Sequence, residues 1–350
     1  MSGGRYRSWR NWGARAHVVQ RHGLDAVVLE NAVLRLQVLA GRGTDVIECN
    51  YKPRDMDFVS LSQEGLRPPG TAGPSAPDAT GSFLDVYRGG WQEVVPNGGG
   101  PSQHAGASHG QHGEACLIPW DHEIVEDAEQ RVAVRFEALI PRTPLRVEKT
   151  LTLDAASPRI EVVERLTNHS PVGQRAMWGQ HLAFGSPFLS SDCRILLEDG
   201  VRVIPHGEAI GPSGRRVDGG REHAWPRATA PDGATVELDR VPERGTPSEL
   251  LYLTGFDRGR YALVDADGFG VRVEWDADRL PYLWLWQELG ATTDYPWFGR
   301  TYLMGLEPFS SYPTTGLADA VRNDSALRIG PHESVDLTWS VEVVGGEEQR

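Results

Sequence analysis

The chain has 350 residues, 39% of them hydrophobic, and a formal net charge of −13. That length can build a full core without disulfide or metal staples. The acidic balance argues against a nucleic-acid or anionic-membrane partner, which needs an excess of clustered Lys and Arg, and leaves a polar small molecule as the expected ligand.

The N-terminal stretch MSGGRYRSWRNWGARAHVV is basic but has no apolar segment behind it, and no run of about 18 apolar residues follows anywhere. Residues 1–24 are read as an extension packing on a single domain over 25–345, with 346–350 as a tail. Residues 25–41, DAVVLENAVLRLQVLAG, open a series of segments that alternate apolar with charged residues at period two. RVAVRFEAL (131–139), LRVEKTLTLD (145–154) and RIEVVERLTN (159–168) continue it, separated by turn signals at the spacing of an antiparallel meander. The same alternation returns in 259–287 and in SVDLTWSVEVV (334–344). No amphipathic helix of three turns and no fixed-period repeat is evident, so the fold class expected is all-β with antiparallel sheets.

Two segments break the pattern. Residues 61–83 and 97–115 are rich in Gly, Pro, Ser and His, too irregular for strands and too long for hairpin turns. The first reads as a solvated excursion. The second, NGGGPSQHAGASHGQHGEA, lies between the strand-like GGWQEVVPN and IPWDHEIVE, which would hold its histidines near the mouth of a sheet. His104, His109 and His112 could be imagined as metal ligands, but no carboxylate or cysteine completes a set, and a hydrogen-bonding role is preferred. Cys49, Cys116 and Cys193 are odd in number and contain no C-x-x-C pair, which points to a reducing, cytoplasmic setting rather than a disulfide framework. No nucleotide-binding G-x-G-x-x-G, P-loop or G-x-S-x-G motif occurs in its required context.

Aromatic residues give a stronger signal. Of eleven tryptophans, Trp284, Trp286 and Trp297 fall within 279–313 beside Tyr282, Tyr295 and Tyr302. In PYLWLWQ, alternation sends Leu283, Leu285 and Gln287 to one face and Tyr282, Trp284 and Trp286 to the other. Rings beside Gln, Asn and His serve core packing or the apolar face of a sugar. His181, within MWGQHLAFGSPF, is either a satisfied core histidine or a proton donor. Glu307, fixed in an extended backbone by Pro308, is either a structural ion-pair partner or a carboxylate with a pKa raised by desolvation.

The ordered motifs GGWQEVVPNGG, HGEACLIPW, RLTNHSPVGQRAMWGQHLAFG, LPYLWLWQ and GLEPFSSYP resemble the aldose 1-epimerase (galactose mutarotase-like) family across roughly residues 25–345. The resemblance implies a β-supersandwich of two large antiparallel sheets with a sugar cleft. By position it implies Glu307 as general base, His181 as general acid and His112 as a histidine holding the sugar oxygen. Mutarotation takes a proton from the anomeric hydroxyl while protonating the ring oxygen, which such a pair does without metal or cofactor. Many members carry an arginine after the position of Asn97, where this chain has Gly98, Gly99 and Gly100. Sugar contacts are therefore assigned to Asn97, Gln92 or Arg300, with Trp286 or Trp91 and Gln287 lining the cleft. The function implied is epimerisation of an unphosphorylated aldose by a monomer or homodimer. The alternatives are a non-catalytic sugar-binding protein and a hexose-6-phosphate epimerase, which would need an arginine cluster because Lys52 and Lys149 are the only lysines, and none is evident near the motifs.

Overall fold

The computed structural model describes residues 10–66 and 81–345. Most of the 61–83 excursion, the first nine residues and the C-terminal tail lie outside the described residues.

The period-two segments become strands because alternation gives each a dry and a wet face. In Leu145–Asp154, Leu145, Val147, Leu151 and Leu153 are buried while Arg146, Glu148, Thr150 and Thr152 between them are half-buried. Each such aliphatic burial contributes about 1.5–3 kcal/mol. Arg131–Leu139, Leu145–Asp154, Arg159–Asn168 and Ser334–Val344 are consecutive antiparallel neighbours, in the register their alternation requires, within an eight-stranded sheet.

A second, fourteen-stranded sheet packs against it. Its middle runs through Asp45–Tyr51, Trp91–Val94, Gly179–Phe184, Leu303–Phe309, Tyr282–Glu288 and Glu249–Thr254, each hydrogen-bonded to the next. One face sends Trp91, Leu182, Phe184, Leu283, Leu285 and Leu306 into the main core between the sheets. The opposite face carries a smaller cluster of Val94, Met177, Tyr252, Trp284 and Phe309, covered by Leu317 and Ala320 of the short helix Leu317–Arg322. The fold is therefore all-β and of the sandwich class expected. Among the described residues no helix is long and apolar enough to cross a membrane.

Local structure departs from the sequence reading in two places. Arg15–Arg21, placed in the N-terminal extension, is an edge strand paired along its length with Leu24–Glu30. The 97–115 segment is not wholly irregular: Ser102–His104 and Ala107–His109 form a hairpin. Its two-residue turn, Ala105 and Gly106, has both φ values positive (48° and 84°), the tight primed turn that composition concealed.

A polar cluster is embedded in the main core. Lys149 occupies an apolar-phase position of its strand and pairs with Glu93 at 3.0 Å. Glu93 also accepts from the Trp178 indole (2.6 Å) and from Gln180, whose amide reaches Glu164 as well (2.9 Å). Burial and the neighbouring Glu93 push the Glu164 carboxyl well above its usual range, and its other oxygen accepts from the Trp339 indole.

Candidate active site

The site lies on the face of the larger sheet away from the core and is assembled by strand register. Gly179 pairs with Phe309 and Ala183 with Gly305, which sets His181 opposite Glu307. His181 Nε2 and Glu307 Oε1 are 3.6 Å apart, with both side chains almost fully buried. Trp286 stands opposite Gly305 on the next strand, and its ring lies 5.7 Å from the His181 ring. Gly305 matters locally: a Cβ there would sit 2.2 Å from Glu307 Oε1, so only glycine lets the carboxylate lie back along its own strand.

His112 arrives from the 97–115 segment with φ of 58°, and its ring is 5.2 Å from that of His181, edge-on. Gly99 N donates to His112 Nδ1 (3.3 Å) while His112 N donates to Gly99 O (2.9 Å), which leaves Nε2 to carry the proton in the neutral ring. The glycine run explains this support. Gly99 (φ 75°) approaches Thr314 so closely that a Cβ would lie 1.9 Å from Thr314 O. His109 is buried behind the loop, paired with Glu114 at 3.1 Å, and Glu114 also takes Arg142. Among the described residues no three His, Cys, Asp or Glu side chains converge as a metal would require.

Aromatic rings enclose the histidines. Phe83 lies 4.7 Å from His112, Tyr87 lies 5.7 Å from His181, and Trp297 bridges Tyr87 and Trp286. Tyr87 and Trp297 also wall a cavity of about 270 Å³ lined by Ser60, Glu64, Arg88, Arg244 and Arg300. The cavity therefore adjoins the histidines, with two rings between.

Burial controls protonation here. It lowers His181 to about 4, lowers His112 with help from the neighbouring His181, and raises Glu307 well above the usual carboxylate range. Both shifts disfavour the charged forms, so burial favours a carboxylic acid beside a neutral imidazole over an ion pair. The physical reason is that burial strips either charged form of its hydration.

The structure thus brings together His181, Glu307, His112 and Trp286, and sets Gln92 opposite His181 on the adjacent strand. Four other candidates lie outside this cluster. Trp91 faces the main core, its indole donating to Ala183 O, because it sits one residue out of phase with Gln92. Gln287 shares the core-side phase of Leu283 and Leu285 and accepts from Arg216 (2.5 Å). Asn97 is fully used as a loop staple, donating to Gly100 O and Gly110 O and accepting from Leu317 N. Arg300 lines the cavity rather than the catalytic cluster and pairs with Glu64 at 2.8 Å. Tyr87 and Asp45 were not singled out from the sequence, and Trp297 was noted there without a place in the cleft. The aromatic density of 279–313 pointed towards Trp297, whereas nothing in the pattern around Tyr87 or Asp45 marked either residue.

Residues 21–343 match a family described as "Domain of unknown function (DUF4432)". No curated protein matches the chain. Among solved structures, the chain is 16% identical to a "putative aldose 1-epimerase" from Klebsiella pneumoniae, covering 95% of this chain and 83% of that one, with a TM-score of 0.72. It is 13% identical to a galactose mutarotase-like protein from Clostridium acetobutylicum, covering 95% and 98% with a TM-score of 0.62. A galactose mutarotase related enzyme from Lactobacillus acidophilus is likewise 13% identical, covering 93% and 99% with a TM-score of 0.60. At these identities the likeness establishes a galactose mutarotase-like fold and nothing finer.

Proposed function

This chain belongs to the DUF4432 family, and on that premise we propose that it is an aldose 1-epimerase working by side-chain acid–base chemistry. The observation that carries the proposal is the His181–Glu307 pair, 3.6 Å apart across neighbouring strands and flanked by His112. Ring opening needs one proton removed from the anomeric hydroxyl and one delivered to the ring oxygen, two oxygens borne by the same carbon. A pair that holds a single proton performs both transfers and is restored when the ring recloses on either face. Glu307 acts as base and His181 as acid in the ionic form of the pair, which substrate oxygens stabilise on entering. His112 offers its Nε2 proton to a sugar oxygen, and Trp286 presents an apolar surface to the sugar's C–H groups.

A second reading concerns the substrate's charge. In a chain of net charge −13, the adjoining cavity carries Arg88, Arg244 and Arg300 against Glu64, an arrangement that favours an aldose bearing a carboxylate or phosphate. A screen of neutral aldoses, uronates and aldose phosphates for anomer exchange by NMR, with and without chelator, tests both readings. Exchange of at least one class, unaffected by chelator, is expected. Saturable binding without exchange of any class would make the protein a sugar-binding module, and loss of exchange on chelation would remove the proposed mechanism.

A further inference from the structure

Sheet order places a row of polar side chains on the cleft face that extends beyond the reacting pair. Asp45–Tyr51, Trp91–Val94, Gly179–Phe184 and Leu303–Phe309 are successive neighbours. Val46 is opposite Trp91, and both face the main core, so Asp45 and Gln92 turn to the other side, where Gln92 Nε2 lies 3.4 Å from Asp45 Oδ2. Gln92 is in turn opposite His181. The row therefore reads Asp45, Gln92, His181, Glu307 across four strands.

Asp45 is fully buried, and Arg42 clasps its Oδ2 through Nη2 (3.0 Å) and Nε (3.2 Å). Arg42 also donates to Val86 O (2.9 Å), the residue before Tyr87. Besides the Thr44 hydroxyl, four buried atoms in this region have no hydrogen-bond partner among the described residues: Asp45 Oδ1, Gln92 Oε1, Tyr87 Oη and His181 Nδ1. Buried polar groups are nearly always paired, and an unmet acceptor on a carboxylate costs more than a neutral one. Two of the four, Asp45 Oδ1 and Gln92 Oε1, can only accept. What completes them must donate, and a pair of neighbouring hydroxyls does so.

We propose that Asp45 and Gln92, braced by Arg42, form a hydroxyl-binding subsite that recognises neighbouring ring hydroxyls of the sugar whose anomeric end lies at His181 and Glu307. Two strand spacings, about 10 Å, separate Asp45 from His181, a span bridged by one pyranose with its hydroxyls. Tyr87, whose ring lies 5.7 Å from that of His181, stands beside the subsite. This assignment deepens the epimerase reading and rests on it for the sugar's orientation.

The test uses the best aldose from the screen and its monodeoxy analogues, measuring anomer-exchange kcat/KM and, in parallel, Kd by calorimetry. With the wild-type protein, removal of one particular hydroxyl is expected to cost about 10- to 100-fold, as loss of a hydrogen bond to a charged group does. In Asp45→Asn, whose folding is checked by thermal melting, the parent sugar weakens while that analogue does not, so discrimination collapses towards one. If Asp45→Asn fails to fold, Gln92→Met supplies the same comparison. Equal use of every analogue by the wild type, or unchanged discrimination in a folded variant, overturns the subsite. Discrimination in Kd without exchange of any sugar would keep the subsite and end the epimerase reading. Neither binding nor exchange with any sugar would end both.

Discussion

Burial sets the pH behaviour of Glu307 and His181. Glu307 has a folded pKa above its unfolded value of about 4.3, so its contribution to stability is complete below that value and is lost as pH rises towards the folded pKa. The thermal midpoint of Glu307→Gln, which has no such loss, should therefore gain on the wild type between pH 5 and 8. His181 is depressed to about 4, so the wild type loses stability as pH falls from about 6.5 towards 4, and His181→Asn should be spared that part of the loss. Catalysis should be flat between the two limbs. Below about 4 the pair gains a second proton on His181, and as pH rises past the raised pKa of Glu307 it gives up its proton, so a pH–rate profile lacking either limb would contradict the pairing. His112, His181 and Glu307 were legible in the sequence because each stands within a motif that keeps its order. Asp45 was not legible, because a carboxylate at the entrance of a strand looks like a turn residue until the neighbouring strand is known. Gln287 is instructive: alternation already put it with Leu283 and Leu285, and the structure follows alternation rather than the assignment to the cleft.

Among the elements, the strand Leu303–Phe309 is central to the site, since alternation puts Gly305, Glu307 and Phe309 on the side away from the main core. Phe309 stacks on Trp284 at 3.6 Å, and Gly305 leaves the space that Glu307 Oε1 occupies. Gly305→Ala should therefore push the carboxylate aside without colliding with backbone. The expected outcome is a fall in kcat of about 10²-fold, the cost of a small misplacement of a reacting group, with a thermal midpoint shifted by no more than a few degrees. A large loss of stability with normal specific activity in the folded fraction would show the glycine to be a packing device only. Strands were the legible elements, several to the residue, because a one-residue slip would turn charged side chains into the core. The Ser102–His109 hairpin was not, because Gly, Ser and His carry no apolar alternation and its turn depends on two positive φ values.

For the whole molecule, the meeting of residues 92, 181 and 307 depends on strand order, which alternation does not encode: it tells each strand which face is dry, not which strand lies beside it. The buried Glu93–Lys149 pair joins the two sheets beneath His181's strand, and it carries a prediction for global stability. Lys149→Met should cost about 3–5 kcal/mol by stranding Glu93 in the core, and adding Glu93→Gln should restore part of it, as read from denaturant midpoints. No loss in the single variant would remove the pair from the account of how the sheets are held. Whether the assembled molecule turns over sugar or only binds it is decided most directly by exchange NMR of the preferred aldose with wild-type and Glu307→Gln protein. The account predicts rapid anomer exchange by the wild type, and a fall of about 10² to 10⁴ in Glu307→Gln with sugar affinity retained. A folded Glu307→Gln protein exchanging anomers at the wild-type rate would contradict it.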